Sequence, residues 1–307
     1  MKKVNKIFRT LLSILLLTSC SRNHIFDWAN IDYKIEDKLE DGNGKKINVI
    51  LLSGQSNSSG ATRVEYLKNN CSDKQFSVYE KGFPNVKINY FVDDGTNQSN
   101  GFVNVGLDMG CREGFFGTEV GIAEKVSEEL PNEELLIIKY SYSGTCLQTK
   151  WLEGTNKKGE LYYALVKFVN ESMDYLVSKN YDPVIQGMVW MQGEADAYGD
   201  TASTYGKALK YFVKSIRNEF KNYIDKEGMA FIDGGISDSS LWEEYEEVNK
   251  QKREFANENE NNIYVDTIQA GLTYNFEPYE SPDIAHYDSL SMIQLGHLFG
   301  EEIIKIL

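Results

Sequence analysis

From residue 47 onward, short apolar or β-branched runs alternate with longer stretches of helical periodicity. "INVILLS" (47–53), "LLIIKYS" (135–141), "VIQGMVW" (184–190), "MAFIDG" (229–234) and "NIYVD" (262–266) predict buried strands. Apolar residues at helical spacing predict helices over about 118–130, 159–179, 202–224, 240–258 and 289–306. Strand, helix, strand repetition implies parallel pairing through right-handed crossovers, and a sheet covered by helices on both faces. Ligands of such sheets sit beyond the carboxyl ends of the strands. The region 60–116 is less regular, with "DDGTNQSNG" and "GCREGFFG" as loop signals, and is expected to form excursions over that rim. There is no internal repeat, and one α/β domain over 47–307 accounts for the pattern.

The first residues stand apart. "MKKVNKIFRTLLSILLLTSC" has a basic start, an apolar run from Leu11 to Leu17, small residues and then Cys20, the layout of an export signal. Leu17-Thr18-Ser19-Cys20 resembles the lipobox of bacterial lipoproteins, in which the cysteine becomes the lipidated first residue. The apolar run is too short to span a bilayer, which takes about 20 residues. The expectation is a signal peptide over 1–19, a lipidated Cys20 on a polar tether to residue 46, and a protein exported to the cell envelope and held by its lipid. A plain secretory signal with a coincidental Cys20 is the alternative. His24 and Trp28 fall in the tether and are expected to play no catalytic part.

Charge narrows the partners. The chain carries a formal charge of −14, and cleavage after Ser19 removes Lys2, Lys3, Lys6 and Arg9 and no acid, leaving −18. Such a body repels nucleic-acid backbones and anionic membrane surfaces, so no nucleic-acid partner is expected. Cys71, Cys111 and Cys146 allow three disulfide pairings and leave one thiol over. No CxxC pair or His/Cys cluster is present, so nothing supports a zinc site, and no metal or organic cofactor is expected.

Three stretches carry polar residues at predicted strand ends. In "LLSGQSNSSG" (51–60) Ser56 follows a strand, flanked by Gly54 and Asn57. It is not the G-x-S-x-G elbow, because its fifth position is Ser58; by itself the stretch reads as a turn as readily as a nucleophile. A serine nucleophile needs a base, and histidine is the usual one. Of three histidines, His24 is in the tether and His297 lies within the last helical pattern, where a packed or surface role is expected. His286 alone occupies a loop beyond the last strand, in "SPDIAHYDS". Asp283, three residues before it, could orient the imidazole as a triad carboxylate or merely cap a turn. Asp288 is expected to cap the final helix. In "VIQGMVWMQGEADAYGD", Gln192, Glu194 and Asp196 gather at a strand end, as a glycosidase dyad, a metal site or a hydrogen-bonding shelf.

"GQSN" (54–57), "GTEVGIAEKV" (117–126), "KYSYSGTCLQTKW" (139–151), "WMQGEADA" (190–197) and "DIAHYDS" (283–289), in that order, resemble the blocks of the SGNH hydrolase superfamily. They are most similar to its sialate O-acetylesterase and acetylxylan esterase branch, carbohydrate esterase family six. The resemblance implies a flavodoxin-like three-layer α/β/α sandwich and a serine esterase that removes acetyl groups from sugar hydroxyls. It implies Ser56 as nucleophile, His286 as general base and acid, and Asp283 as orienting carboxylate. The N–H groups of Ser56 and Gly144 and the side-chain amide of Gln192 match the oxyanion-hole donors. Glu119 is expected to hold the "GQSN" loop, Gln55 and Asn57 to shape it, and Glu194 to tie its block to neighbouring loops or to act as a second acid on His286. Ser58 and Thr118 replace the Met and Pro common in the branch.

The expected partner is an acetylated carbohydrate. Trp151 could stack on a sugar ring or pack into the body, and Arg63 or Arg112 could offset the overall negative charge for an anionic sugar. A non-catalytic, sugar-binding surface lipoprotein on the same scaffold is the competing reading.

Overall fold

The computed structural model describes residues 31–154 and 159–307, and Cys20, His24 and Trp28 lie outside the described residues. Six strands pair in parallel: β1 (Lys46–Gly54), β2 (Phe83–Val92), β3 (Leu135–Ser141), β4 (Asp182–Met191), β5 (Ala230–Gly234) and β6 (Asn262–Val265). Their order across the sheet is β2-β3-β1-β4-β5-β6. Without β2 this is the flavodoxin-like order, in which the chain starts at the centre and later crosses to the other side of its first strand. Helices α1 (Glu119–Glu129), α2 (Glu160–Ser178), α3 (Gly199–Glu219), α4 (Tyr245–Ala256) and α5 (Ser289–Ile306) follow the predicted periodicities closely. The central strands are continuous apolar runs because both faces are covered; all seven residues of β3 are buried.

Two expectations need correction. The region 60–116 is not only loop: it supplies β2, helices over Val64–Asn70 and Asp73–Lys81, and two short strands that pair antiparallel with β2. The strand signal in "FPNVKINYFV" is diluted by Pro84, Asn85 and Lys87, polar or ring-constrained residues that the flank of a sheet tolerates. Residues 31–45, expected to belong to a tether, also pack against the body. They hold no helix or strand but lie along α2: Tyr33 is buried edge-on to Phe91 and Phe168 at 4.9 and 5.0 Å between ring centroids. Further along, the Leu39 and Gly42 N–H groups donate to the Tyr175 hydroxyl and the Lys179 carbonyl. Scattered single anchors of this kind leave no periodicity to read.

Register sets the stage for the site. Gly54 at the end of β1 pairs with Ser141 of β3 and Met191 of β4, and Ser141 pairs with Val92 of β2. Four strands therefore end level, and residues 55–57, 93–94, 142–145 and 192–196 emerge together on one rim.

Candidate active site

The turn after β1 is built by its neighbours. Gly54 has φ +144°, and a Cβ there would sit 2.0 Å from the Met191 carbonyl oxygen, so only glycine lets β1 and β4 run this close to the rim. Gln55 N–H donates to the same carbonyl (2.9 Å), and the N–H groups of Ser58 and Ser59 donate to the Gln55 carbonyl, winding a single helical turn from Ser56. Ser56 at its first position has an N–H with no acceptor inside the turn, as every helix start does. The Ser58 hydroxyl bonds that of Ser141 at 2.8 Å, so the residue that replaces the branch's Met pins the turn to β3.

His286 and Asp283 come from the loop before α5. His286 Nδ1 lies 2.7 Å from Asp283 Oδ2, leaving Nε2 as the nitrogen available to a serine proton. Burial pushes the Asp283 carboxyl up, but the bond and charge of His286, the Ala285 N–H and the Arg63 charge outweigh it and hold the group below the usual carboxylate range. Asp283 thus stays ionised. The loop is clamped from behind by an exchange of carboxylates: Asp288 accepts from the N–H groups of Phe276 and Glu277, while Glu277 accepts from the N–H and hydroxyl of Ser289. The side-chain cap of α5 is therefore Glu277, twelve residues away, and not Asp288, which occupies the N-cap position without capping through its side chain.

Ser56, Asp283 and His286 line one cavity of about 340 Å³ together with Asp93, Cys111, Arg112, Phe115 and Ser143. Among the described residues the Ser56 hydroxyl has no hydrogen-bond partner; such contacts often close only around substrate. A side cavity of about 150 Å³ opens from it between Arg63, Phe115, Asp283 and His286. The Arg112 and Arg63 guanidinium groups flank the Phe115 ring at 4.5 and 5.5 Å from its centroid. Neither forms an ion pair among the described residues. Burial pushes the Cys111 thiol up to about 11, and the Asp93 charge adds to this, so it is not a thiolate.

The "QGE" block is a hydrogen-bonding shelf. Glu194 accepts from Asn57 Nδ2 at 2.8 Å, and Asn57 Oδ1 accepts from the Tyr287 N–H at 3.3 Å, so Asn57 bridges the Ser56 turn to the residue beside His286. Asp196 accepts from the Leu147 N–H and from Gln192. Gln192 departs from expectation: it is fully buried, and its two N–H bonds face three acceptors, the Thr145 carbonyl, Asp196 Oδ2 and Gln55 Oε1. Its amide is spent on holding loops together and offers no donor to the cavity. Among the described residues no group of three or more His, Cys, Asp or Glu side chains is placed to hold a metal ion.

Glu119 supports the turn at one remove. Its carboxylate accepts from the Gly117 N–H and pairs at 2.8 Å with fully buried Lys139, which donates onward to the Ser59 and Met109 carbonyls. Trp151 is no sugar platform: it is fully buried, edge-on to Trp190 at 5.2 Å, with its indole N–H on Thr145. His297 packs at 2.8 Å from Glu124, away from the site. Among the described residues Cys71, Cys111 and Cys146 form no disulfide with one another, and the Cys146 thiol donates to the Ala195 carbonyl.

Asp93 is a site residue that the sequence does not single out. It follows β2, lines the cavity that holds Ser56 and His286, and holds the residue before Gly144: the Ser143 N–H and hydroxyl donate to its two oxygens at 2.6 and 2.9 Å. Its one signal is an acid pair directly after "VKINYFV", visible once that run is read as a strand.

A flavodoxin-like sheet with a serine turn after its first strand and an Asp-x-x-His loop before its last helix defines an SGNH-type hydrolase. The family model for carbohydrate esterase, sialic acid-specific acetylesterase, matches residues 46–305, and the chain belongs to that family. It is accordingly a carbohydrate acetylesterase, a carboxylic ester hydrolase. Among solved structures, NanS matches with 15% identity, covering 87% of this chain and 98% of that one, at a TM-score of 0.59. An Arabidopsis thaliana protein matches with 19% identity over 84% of this chain and 98% of its own, at 0.57. A carbohydrate acetylesterase from Xanthomonas citri matches with 12% identity over 81% of this chain and 54% of its own, at 0.54. At these identities the three show the fold alone. No curated protein matches the chain. Among the described residues no helix is long and apolar enough to cross a membrane.

Proposed function

We propose that the protein removes O-acetyl groups from sialic acids through an acetyl-enzyme on Ser56. The observation that carries this reading is one cavity lined by Ser56, the His286–Asp283 pair and the Arg112 guanidinium, which has no ion-pair partner among the described residues. His286 Nε2 takes the Ser56 proton as the hydroxyl attacks the acetyl carbonyl. The Ser56 and Gly144 N–H groups meet the developing oxyanion, where losing one donor typically costs about 10²- to 10³-fold in rate. His286 then protonates the departing sugar oxygen, and water releases acetate by the same route reversed. Arg112 and Arg63 supply the positive charge that a sugar carboxylate needs on so acidic a body.

Acetate release from O-acetyl sialic acid, acetylxylan and 4-nitrophenyl acetate tests the reading. Ser56→Ala should fold normally and fall to background on all three; retained activity would refute the nucleophile. An acetylated neutral xylan cleaved as well as the sialic acid would refute the anionic-sugar preference. We propose also that the chain is a lipoprotein anchored at Cys20; metabolic labelling with a fatty acid should be lost in Cys20→Ala.

A further inference from the structure

Beyond the side cavity the surface does not close. Tyr66, Glu277 and Pro278, which line the side cavity with His286, also line a second hollow of about 550 Å³ bounded further out by Phe276, Tyr279 and Leu290. These last three are among the large apolar side chains most exposed on the molecule, at 62%, 91% and 50%. Scattered exposed apolar residues need no explanation. These are not scattered: they line one hollow that shares Tyr66, Glu277 and Pro278 with the side cavity beside His286.

The wall is also held in place. The loop that carries Phe276 and Tyr279 is fixed by the Asp288 and Glu277 exchange, and Asn70 on the opposite wall donates to Glu277 Oε1 at 2.6 Å. Rings presented to water on a braced loop are pre-organised for a ligand and lose little freedom on binding it. Exposed Asn69 supplies an amide donor and acceptor to the same hollow, and Asn70 its side-chain oxygen. Aromatic faces opposed by amides suit a pyranose ring, which offers an apolar C–H face and a rim of hydroxyls. The hollow lies within the usual range for a ligand site, about 300–1,000 Å³. The side cavity shares lining residues with both this hollow and the cavity that holds Ser56, so a ring bound in the hollow lies within reach of a neighbouring sugar whose acetyl group meets Ser56.

We propose that Phe276, Tyr279 and Tyr66 form a second sugar subsite, and that the substrate is an acetylated sugar still linked in a glycan and not the free monosaccharide. The proposal rests on the acetylesterase reading above and names the substrate of that same site. Two measurements separate the failure of one from the failure of the other. In the first, calorimetry compares binding of unacetylated sialic acid, free and α-linked to galactose, and needs no turnover. The linked sugar should bind about five- to tenfold tighter, the range of one aromatic contact, and Phe276→Ala/Tyr279→Ala should remove the difference. In the second, kcat/KM for O-acetyl sialic acid, free and so linked, should show the same preference and the same loss. The double variant should leave 4-nitrophenyl acetate hydrolysis unchanged, since both side chains project from the surface. Equal binding of the two sugars by the wild type, or a preference that survives the double substitution, overturns the subsite. So does a change from dimer to monomer on substitution, which would make this face a contact between copies of the chain. If Ser56→Ala keeps its activity, the Ser56 nucleophile fails and the binding comparison still decides the subsite.

Discussion

Asp93 and Ser143 are joined twice, through the backbone N–H and through the hydroxyl of the serine. The pair links the end of β2 to the loop after β3 one residue before Gly144, which sits at φ +66°. Asp93 therefore acts on the proposed oxyanion hole through Ser143. Asp93→Ala should lower kcat by about 10-fold or more, within the range for a displaced oxyanion donor, while KM changes little. Asp93→Asn should recover most of the rate, because its oxygen accepts from the N–H and its amide donates to the hydroxyl. Steady-state kinetics on 4-nitrophenyl acetate decides; equal losses in both variants would mean that the charge itself matters.

Asn57 ties the Ser56 turn to the histidine loop. Its amide donates to Glu194, and its oxygen accepts from the N–H next to His286. Burial pushes the Glu194 carboxyl up, against the pull of the Asn57 bond and the Lys252 and His286 charges. Asn57→Ala should cut kcat about 10- to 100-fold, as expected when positioning of a catalytic group slips by an ångström, with far-UV circular dichroism unchanged. Glu194→Gln, which still accepts from Asn57, should be milder. A reversed ranking would favour direct action of Glu194 on His286.

Much of this is legible from sequence because it depends on chain-local patterns. The five apolar runs are strands, and the segments that follow β1, β3 and β4 meet on one rim because residues 54, 141 and 191 pair in register. What is not legible depends on contacts remote in sequence. β2 hides behind Pro84, Asn85 and Lys87. Gln192 looks like a donor in its motif, yet its amide is consumed by Thr145, Asp196 and Gln55. Trp151 sits in a sugar-loop stretch but meets Trp190 in the core. No local pattern records which neighbours a buried polar or aromatic group will find.

Glu119 and Lys139 form an ion pair with both side chains fully buried. Removing one partner of such a pair typically costs about 3–5 kcal/mol, because the other charge is left buried alone. Glu119→Ala should show that loss in urea unfolding, with activity falling alongside because Lys139 also holds the Ser59 carbonyl. Glu119→Leu combined with Lys139→Met should regain stability relative to either single change but not activity, since the Ser59 tie is gone. A double variant as active as wild type would show that the pair serves folding only.

Asp196 connects the shelf to pH. Burial pushes its carboxyl up from 3.8 to about 6, against the opposing bonds from Leu147, Gln192 and Gln148 and the Lys252 charge. Asp233, similarly buried beside Lys252, is also pushed up to about 6. A carboxyl whose folded pKa is raised binds its proton more tightly in the native state than in the unfolded chain. Its contribution is present below pH 3.8 and lost as pH rises through about 6. Asp196→Asn carries no such charge, and its oxygen can accept from both Leu147 and Gln192. Relative to wild type, the variant should therefore gain stability as pH rises from 3.8 through about 6. The gain should level off near neutrality at a value on the order of 2–3 kcal/mol, since a tenfold difference in proton affinity between the folded and unfolded states corresponds to about 1.4 kcal/mol. Urea midpoints across that window measure it. Wild-type and variant curves that stay parallel would mean that Asp196 keeps an ordinary carboxylate pKa in the folded protein, and that the shelf is set by hydrogen bonding without a proton-linked cost.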